Sequence, residues 1–427
     1  MENLMKLAQA DGRRLTADRR YLHAHAETGF DLQETYRYVW ERLTEMGLTP
    51  QACGRCGIVA DVGTGERYVL LRADMDALPI REEVDVPFAC QEGRMHACGH
   101  DLHTAMLLGA ARMLKSREAE LPGRVRLMFQ PAEEILQGAE DMLHSGLLQG
   151  GECIGAFMLH VLTNLDLPVG TAIVSAPGVS APAAAFFRIG VQGKGCHGAM
   201  PHTGVDPIST AAHIVLSLQQ VQTRELAMSE NAVMTLGMLR AGESANVIPD
   251  TAELAGTLRA FADDTVEKLL RRAEEVAVQT ARMFGAAADF ETTAGAPTLC
   301  NDSRLSALAL TALQALPGMN KALLSSQLGG EGAKSTGSED FAWVSHAVPS
   351  VMIAMAAGRP QDGHDKPAHH PQATFDEAAL PAGAAAYAAL ALAALGDPGC
   401  SRARNLTHCG WVCYAECTDR GLLHSGT

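Results

Sequence analysis

The sequence is poor in positive charge and contains no long uninterrupted apolar segment. Lysine and arginine total 34 against 49 aspartates and glutamates, which leaves a net charge of −15 over 427 residues. This charge excludes nucleic acid and anionic membranes as expected partners, because both are polyanions. No run of about 18 apolar residues is present and the N-terminus lacks a signal-peptide core, so no membrane association is expected. We therefore expect a cytoplasmic protein.

Cysteine is plentiful, but its arrangement does not match a disulfide framework. The chain has 11 cysteines, an odd number, scattered along its length. In a reducing compartment such cysteines are mostly free thiols. Cys53 and Cys56 form a C-x-x-C pair, which is open to interpretation as a redox or zinc pair. We favour two cysteines that flank a turn, because no second pair follows at zinc-ribbon spacing.

The order of predicted elements indicates two domains. Hydrophobic periodicity predicts helices over residues 4–22, 32–46 and 101–115 and strands over residues 57–62, 68–72, 125–130 and 154–160. The middle of the chain follows a β-α-β-β-α-β order, which is typical of a ferredoxin-like domain. The α/β pattern then resumes with a strand at residues 350–356 and a helix at residues 376–395.

The expected fold class is α/β, with a phosphorylase/hydrolase-like catalytic domain around a mixed central sheet. Residues 1–179 and 293–396 are assigned to this domain, and residues 180–292 to an inserted ferredoxin-like α+β domain. Residues 397–427 lack periodicity and are expected to form an irregular tail of unknown role. Cys409, Cys413 and Cys417 lie in this tail, but their spacing matches no metal-site pattern.

Two short segments carry most of the chemistry. Residues 95–103 read MHACGHDLH, in which only Gly99 separates Cys98 from His100. Glycine lets the backbone bend, so that both side chains can face one ion. Residues 130–134 read QPAEE and supply two adjacent carboxylates. Paired carboxylates next to metal ligands are what a metallohydrolase needs for proton transfer.

The donor types of these and later residues suit a site for two metal ions. Sulfur, nitrogen and oxygen donors together favour zinc, manganese, cobalt or nickel. Two such ions lower the pKa of a water between them, so that hydroxide forms near neutral pH. The candidate ligands are Cys98, His100, Glu134, His160 and His369.

The adjacent glutamates are expected to divide two roles. One would bind metal, while the other would accept a proton from water and pass it to a leaving amine. We assign Glu133 as the base and Glu134 as the ligand, although spacing alone does not decide between them. Neighbouring side chains on extended backbone point in opposite directions, so a turn is expected at this pair.

Several further residues are candidates for positioning the site. Asp76 is expected to hold a site histidine, and Asp74 to shape the site floor, although both acids could instead be solvated or pair with Arg72. Asp101 is expected to orient a ligand histidine. His197, in a glycine-bounded turn, could donate a hydrogen bond to a developing oxyanion or could be an ordinary loop histidine.

Taken together, these motifs resemble those of the amidohydrolase branch of the dinuclear metallopeptidases. That branch includes hippurate hydrolases, auxin-conjugate hydrolases and bacterial N-acyl-amino-acid deacylases. The resemblance covers residues 10–396, and its segments run in family order. The matching segments are residues 20–23, 71–79, 95–103, 130–134, 193–202, 246–250, 337–341 and 369–371.

The resemblance implies a metal-dependent amidase that cleaves N-acyl amino acids or similar small conjugates. It implies the base and ligand roles given above, with His370 as the alternative to His369 for the last ligand. The inserted domain would be a lid and dimerisation domain whose His197 completes the active site, often that of a neighbouring subunit. Asn246 and Arg259 would hold the substrate carboxylate. A homodimer or higher homo-oligomer is therefore expected.

Other functions stay open at this point. A dipeptidase or carboxypeptidase of the same superfamily would use the same residues on a different substrate. An inactive conjugate-binding protein would keep the fold without turnover. A zinc-storage or redox protein would bind metal through its scattered cysteines, and this binding would survive the loss of His100 and Glu134.

Overall fold

The computed structural model describes residues 3–319, 321–329 and 334–400, which divide into two compact units. The first unit contains the described chain up to Ser180 and, in its C-terminal part, the described residues of 299–335 and residues 339–400. The second unit contains Ala181–Thr298 and Thr336–Ser338. The predicted insertion spanned residues 180–292. Of the predicted tail, residues 401–427 lie outside the described residues, and so do Cys409, Cys413 and Cys417.

The elements are numbered in chain order. The helices are α1 Leu4–Ala10, α2 Gly12–Ala24, α3 Gln33–Glu45, α4 His100–Ser116, α5 Gly138–His144, α6 Pro207–Arg224, α7 Asp263–Met283, α8 Ser303–Gln314, α9 Ala342–Ala347 and α10 Ala379–Gly396. The strands are β1 Gln51–Cys53, β2 Gly57–Val62, β3 Arg67–Asp74, β4 Arg124–Gln130, β5 Glu152–Leu162, β6 Ala172–Val174, β7 Gly178–Ala181, β8 Ala183–Gln192, β9 Cys196–His197, β10 Ala232–Ala241, β11 Val247–Ile248, β12 Thr251–Ala260, β13 Ala287–Ala296, β14 Leu299–Asn301, β15 Ala322–Leu324 and β16 Ser350–Ala356.

An eight-stranded mixed sheet forms the centre of the first unit, in the order β1-β2-β4-β3-β5-β16-β6-β15. The pairs β3–β4, β3–β5 and β5–β16 are parallel, whereas β1–β2, β2–β4 and β6–β16 are antiparallel. The predicted fold class, α/β with a mixed central sheet, is confirmed. Because β3, β4 and β5 run in the same direction, their carboxyl ends meet at one edge, where an open sheet offers room for a ligand.

The N-terminal helix differs from the prediction of a single helix over residues 4–22. The chain forms α1 and α2, which meet at Asp11. Asp11 and Gly12 are both poor helix formers, and the Asp11 carboxylate instead accepts a hydrogen bond from Arg112 Nε at 2.5 Å. The ion pair between α4 and this junction explains why the continuous periodicity does not give a continuous helix.

Helix α10 is the apolar core helix of the first unit. It is the one helix in the described part of the chain that is long and apolar enough to cross a membrane, but 78% of the relevant window is buried inside the structure. Its small residues allow a close approach to α4. A Cβ on Gly383 would lie 2.1 Å from Met106 Sδ, so a larger residue here would require the Met106 side chain to move.

Tyr387 of α10 completes the hydrogen bonding between β3 and β5. The ladder between these strands ends at the pair Arg72 and Met158. Beyond it, the Tyr387 hydroxyl donates to the Arg72 carbonyl at 2.6 Å and accepts from the Leu159 N–H at 3.1 Å. The phenol therefore takes the place of the next ladder bond and fixes the helix against the sheet.

The second unit is a four-stranded antiparallel sheet with two helices. Its strand order is β10-β12-β8-β13, and α6 and α7 pack on one face with the apolar side chains of the strands. Along the chain the main elements follow β8-α6-β10-β12-α7-β13, which is the order expected of a ferredoxin-like unit. Strand β13 ends at Ala296, beyond residue 292 where the inserted domain was predicted to end.

We expect Tyr387→Phe to destabilise the protein by about 1–3 kcal/mol, because it leaves a buried carbonyl and a buried N–H without their partner. Urea unfolding followed by circular dichroism measures the change. Tyr36→Phe is the matched control, since Tyr36 is only half-buried on α3. Equal unfolding free energies for the two variants would contradict the bridging role of Tyr387.

Candidate metal centre

The predicted ligands come from five places in the first unit. Cys98 and His100 flank Gly99, which precedes the first turn of α4 with a φ of 89°. Glu134 lies in the loop after β4, His160 lies near the end of β5, and His369 lies in the segment before α10. The carboxyl ends of the parallel strands and the start of α4 therefore supply most of the site.

These side chains meet around Cys98. Its Sγ lies 3.5 Å from His160 Nε2. Glu134 Oε1 lies 3.4 Å from His369 Nε2 and 3.8 Å from His100 Nε2. Their donor atoms form two overlapping groups, each with all atoms within 4.8 Å of one another. One group contains Cys98, His100 and His160, and the other contains Cys98, Glu134 and His369.

His369, not His370, belongs to this cluster. The His370 ring accepts a hydrogen bond from the Gln372 N–H through Nδ1 at 3.0 Å. His369 has a φ of 66°, in the left-handed region that non-glycine residues rarely adopt. This backbone conformation accompanies the approach of its ring to Glu134.

The donor atoms fit divalent ions. Within the described residues, His100 Nε2 and Glu134 Oε1 are buried without a hydrogen bond. Buried polar atoms normally have partners, so two such atoms in one cluster call for a ligand. A thiol, three imidazoles and a carboxylate form a donor set that suits zinc, manganese, cobalt or nickel.

The electrostatics of the cluster favour a thiolate. Burial opposes ionisation of Cys98, but His160 and His100 outweigh it and lower the pKa of the thiol to about 6. Burial likewise lowers the pKa of His160, yet Cys98 outweighs this effect and raises that pKa to about 9. The thiolate is the form of cysteine that binds metal ions.

Backbone carbonyls fix the orientation of two histidine rings. His100 Nδ1 donates to the Asp76 carbonyl at 2.7 Å, and His160 Nδ1 donates to the Val161 carbonyl at 2.8 Å. With the proton on Nδ1, each ring keeps its Nε2 lone pair for the cluster. This is the usual arrangement for histidines that bind metal.

Asp76 also holds both glutamates. Its Oδ1 accepts the Glu133 N–H at 3.0 Å, and its Oδ2 accepts the Glu134 N–H at 3.2 Å. Together with the carbonyl bond to His100, one residue positions three members of the site. The sequence led us to expect that Asp76 would hold a histidine, and it does so through its backbone oxygen.

The expected turn at the glutamates is present. We call residues 131–138 the glutamate loop. Ala132 and Leu136 adopt positive φ values of 55° and 53°, and the Leu136 N–H donates to the Glu133 carbonyl at 2.8 Å. The loop thus leaves extended geometry, which explains how two neighbouring carboxylates face the same cluster.

His103 lies beside the cluster with both ring nitrogens engaged. Its Nδ1 donates to Asp74 Oδ1 at 2.6 Å, and its Nε2 accepts the Val161 N–H at 2.7 Å. Asp74 also accepts a bond from Arg72 Nη1 at 2.8 Å. It therefore pairs with Arg72, as one alternative predicted, and at the same time holds a histidine beside the cluster. Burial alone would raise the pKa of Asp74, but Arg72 and the histidines hold it well below its usual value.

Asp101 does not orient a ligand histidine, and that expectation was wrong. Its Oδ2 accepts hydrogen bonds from Arg19 Nε at 2.7 Å and from His23 Nδ1 at 2.8 Å. Successive residues of a helix point about 100° apart, so Asp101 faces α2 while His100 faces the cluster. Asp101 therefore attaches the start of α4 to α2.

The C-x-x-C pair forms part of a hairpin. Cys53 and Gly57 are paired between β1 and β2. Cys53 Sγ donates to the Met142 carbonyl, and Cys56 Sγ donates to the Phe30 carbonyl. Burial raises the pKa of Cys53 to about 11 and that of Cys56 to about 12. Both thiols are therefore protonated structural groups.

A buried ion network beneath the cluster was not anticipated. Arg72 is fully buried and donates to Glu339 Oε1 at 2.8 Å, to Asp340 Oδ1 at 3.2 Å and to Gln130 Oε1 at 2.8 Å. The sequence holds one signal for it, since an arginine within the apolar strand at residues 67–74 requires buried counter-charges. It did not indicate that residues 339–340 supply them.

The other predicted site residues belong to the second unit. His197 in β9 pairs with Val247 in β11, and the Gly198 N–H donates to the Asn246 carbonyl at 2.8 Å. His197 Nδ1 accepts the Ala199 N–H at 3.0 Å, so the neutral ring carries its proton on Nε2. Arg259 lies half-buried on β12. His197 therefore presents an exposed N–H donor next to Asn246.

Comparisons with known proteins agree in family and fold. A family model described as Peptidase family M20/M25/M40 matches residues 70–393. An N-acetylcysteine deacetylase of Bacillus subtilis (strain 168) is 36% identical over 389 residues, covering 90% of this chain and 97% of the relative. An IAA-amino acid hydrolase of Arabidopsis thaliana, ILR1-like 4, is 36% identical, covering 87% of this chain and 84% of the relative. A crystal structure of a dinuclear metal-binding M20 peptidase from Bacillus subtilis is 34% identical, with a TM-score of 0.71, covering 91% of this chain and 99% of that one.

We expect Gly99→Ala to destabilise the protein by about 1–3 kcal/mol more than Gly93→Ala does. Both glycines have positive φ values, but a Cβ on Gly99 would lie 2.4 Å from Val161 Cγ2, whereas nothing lies within 4 Å of one on Gly93. The pair separates steric conflict at the cluster from backbone strain. Denaturant unfolding measures the difference, and equal losses would show that the contact with Val161 does not matter.

Proposed function

The chain belongs to the M20/M25/M40 peptidase family, as the resemblance predicted, and from this premise we propose that it is a metal-dependent amidohydrolase. Its substrate class is N-acyl amino acids or similar small conjugates. The observation that carries the proposal is a cluster of thiol, imidazole and carboxylate donors beside a second glutamate, Glu133, that is only 7% exposed. This combination provides metal binding and proton transfer in one place.

Two divalent ions would be held by the five clustered side chains. Zinc, manganese, cobalt and nickel all accept this mixture of donors. Such ions supply Lewis-acid activation of water and of the substrate carbonyl. Cys98 belongs to both donor groups, so its thiolate would serve as a ligand in each of them. The other ligands are His100, Glu134, His160 and His369.

Glu133 would act as the general base and acid. Burial raises its pKa well above the usual value, and the neighbouring Glu339 and Glu134 raise it further. A carboxylate with a raised pKa accepts a proton from the attacking water more readily and can return it to the leaving amine. The Asp76 bond to its N–H keeps Glu133 on the turn from which it faces the cluster.

The second unit would complete the site as a lid and dimerisation domain. The exposed Nε2–H of His197 can donate to the oxyanion that forms on the substrate carbonyl. Asn246 lies next to it, and the Arg259 guanidinium is suited to a bidentate grip on the carboxylate of the amino-acid part. We propose, together with this assignment, that the protein is a homodimer or higher homo-oligomer. We also propose a cytoplasmic location, in keeping with the thiolate at Cys98.

The substrate class is supported by what the relatives have in common. An N-acetylcysteine deacetylase and an IAA-amino acid hydrolase each act on an acyl group that is joined to an amino acid. A panel of N-acetyl amino acids, N-benzoylglycine and dipeptides would test this assignment by the release of free amine. Hydrolysis confined to dipeptides would instead indicate a dipeptidase.

We expect Glu133→Gln to lower kcat on the best N-acyl substrate by about 10²–10⁴-fold while the protein keeps its metal, because only the proton carrier is removed. Steady-state kinetics and elemental analysis measure the two quantities. Glu140→Gln, at a half-buried glutamate on α5, is the control and should retain wild-type turnover. Wild-type turnover in Glu133→Gln would refute the assigned role.

We expect removal of metal with a chelator to abolish hydrolysis and to lower stability. Ions present at about 100 times their dissociation constant stabilise a fold by about 2.7 kcal/mol, which thermal unfolding would detect. Cys98→Ser should lower the bound metal, whereas Cys53→Ser should not. Full hydrolysis by the metal-free protein, or unchanged metal in Cys98→Ser, would contradict the proposed centre.

A further inference from the structure

We propose that Asp340 is a positioning residue that fixes the glutamate loop, so that Glu133 and Glu134 face the metal cluster. This proposal rests on the proposed function for the roles of the two glutamates. Asp340 is fully buried and lies far from the loop in sequence, directly after Glu339. Nothing in the sequence near residue 340 suggests a link to residues 131–138.

The Asp340 carboxylate bonds to both ends of the loop. Its Oδ1 accepts from Gln130 Nε2 at 2.6 Å, and Gln130 is the last residue of β4. Its Oδ2 accepts from the Ala139 N–H at 2.9 Å, within the first turn of α5. One side chain therefore joins the strand that enters the loop to the helix that leaves it.

The conformation of the loop makes such an attachment necessary. Ala132 and Leu136 have left-handed backbone angles, and each such residue costs about 1–3 kcal/mol unless its surroundings enforce it. Gly138 approaches the Pro131 carbonyl so closely that a Cβ would lie 1.6 Å from that oxygen. Asp340 closes the ends of the loop, while Asp76 holds its middle.

The same carboxylate connects the loop to the rest of the cluster through Arg72. Arg72 Nη2 donates to Asp340 Oδ1, and Arg72 Nη1 donates to Asp74. Asp74 in turn accepts from His103, whose other nitrogen accepts the Val161 N–H next to His160. The glutamate loop and the end of β5 are therefore positioned by one continuous network of buried hydrogen bonds.

The test is Asp340→Asn in the full chain. All three groups around the carboxylate are donors, so an amide would direct its own N–H₂ group at one of them. We expect metal affinity and kcat each to fall about 10–100-fold with little change in KM, since Glu134 and Glu133 both move with the loop. Chelator competition with Zn²⁺ or Mn²⁺ and steady-state kinetics measure these quantities.

A compensating variant separates positioning from general damage. In Gln130→Glu/Asp340→Asn the new carboxylate accepts from Arg72 and from the new amide, while the amide oxygen remains for the Ala139 N–H. The net charge and the other hydrogen bonds of the network are kept, whereas Arg72 Nη2 loses its bond to residue 340 and retains the one to Glu339 Oε1. We therefore expect metal affinity and kcat to recover part of their loss. Failure of this rescue in a folded double variant would overturn the proposal.

Asp18→Asn is the matched control. Asp18 is a buried carboxylate of the same unit that accepts from Tyr38 and Arg112 and forms no hydrogen bond or ion pair with the glutamate loop among the described residues. It should lower the unfolding midpoint without changing metal affinity or kcat. If Asp340→Asn behaves in the same way as this control, Asp340 is merely structural and the proposal is wrong.

Two further measurements test the proposal if Asp340→Asn does not fold or if no substrate is found. If Asp340→Asn does not fold, Gln130→Met removes the bond to Asp340 at the entry to the loop together with the bond from Arg72 Nε, and leaves the Ala139 bond in place. Wild-type metal affinity in that variant would overturn the proposal. If the wild-type protein hydrolyses no member of the substrate panel, the proposed function fails. The metal-affinity comparison between the Asp340 and Asp18 variants still decides the role of Asp340 in that case.

Discussion

The first unit depends on one buried charge, the guanidinium of Arg72. A buried cation is costly unless carboxylates and further hydrogen bonds surround it, and removing one partner leaves an uncompensated charge. Asp74, Glu339 and Asp340 supply that compensation from β3 and from the segment before α9. Because Asp74 and Asp340 in turn hold His103 and the glutamate loop, the compensation of one charge also sets the geometry of the candidate metal centre.

The site holds several residues in conformations that the chain would not adopt by itself. Ala132, Leu136 and His369 all have left-handed backbone angles, and all three lie in the segments that carry the clustered side chains. Such strain persists only where surrounding contacts enforce it. In the glutamate loop the enforcing contacts are the buried carboxylates of Asp76 and Asp340, which accept backbone N–H groups. At His369 the backbone N–H instead donates to the Ala97 carbonyl at 2.9 Å.

The local pattern of hydrophobic residues was sufficient to predict many of the helices and strands. The strand expected at residues 57–62 is Gly57–Val62, and the strand expected at residues 350–356 is Ser350–Ala356. For the site, the correct segments were indicated by the Cys98-Gly99-His100 spacing and by the two adjacent glutamates. The need for a turn at the glutamates followed from the geometry of a strand. The break at Asp11 and the direction of Asp101 were missed because distant partners, Arg112 and Arg19, decide them. Residues 339–340 were identified only as part of the matching segment 337–341, because their partner, Arg72, lies in the distant strand β3.

The glycine contact between α10 and α4 limits how far sequence change is tolerated at a distance from the chemistry. Gly383 touches Met106 on α4, and α4 begins with His100. A larger side chain at position 383 would displace the Met106 side chain and so disturb the packing of α4, the helix that starts with His100. Sequence change in the apolar helix α10 is therefore constrained by the placement of an imidazole in the site, at a distance from any group that touches the substrate.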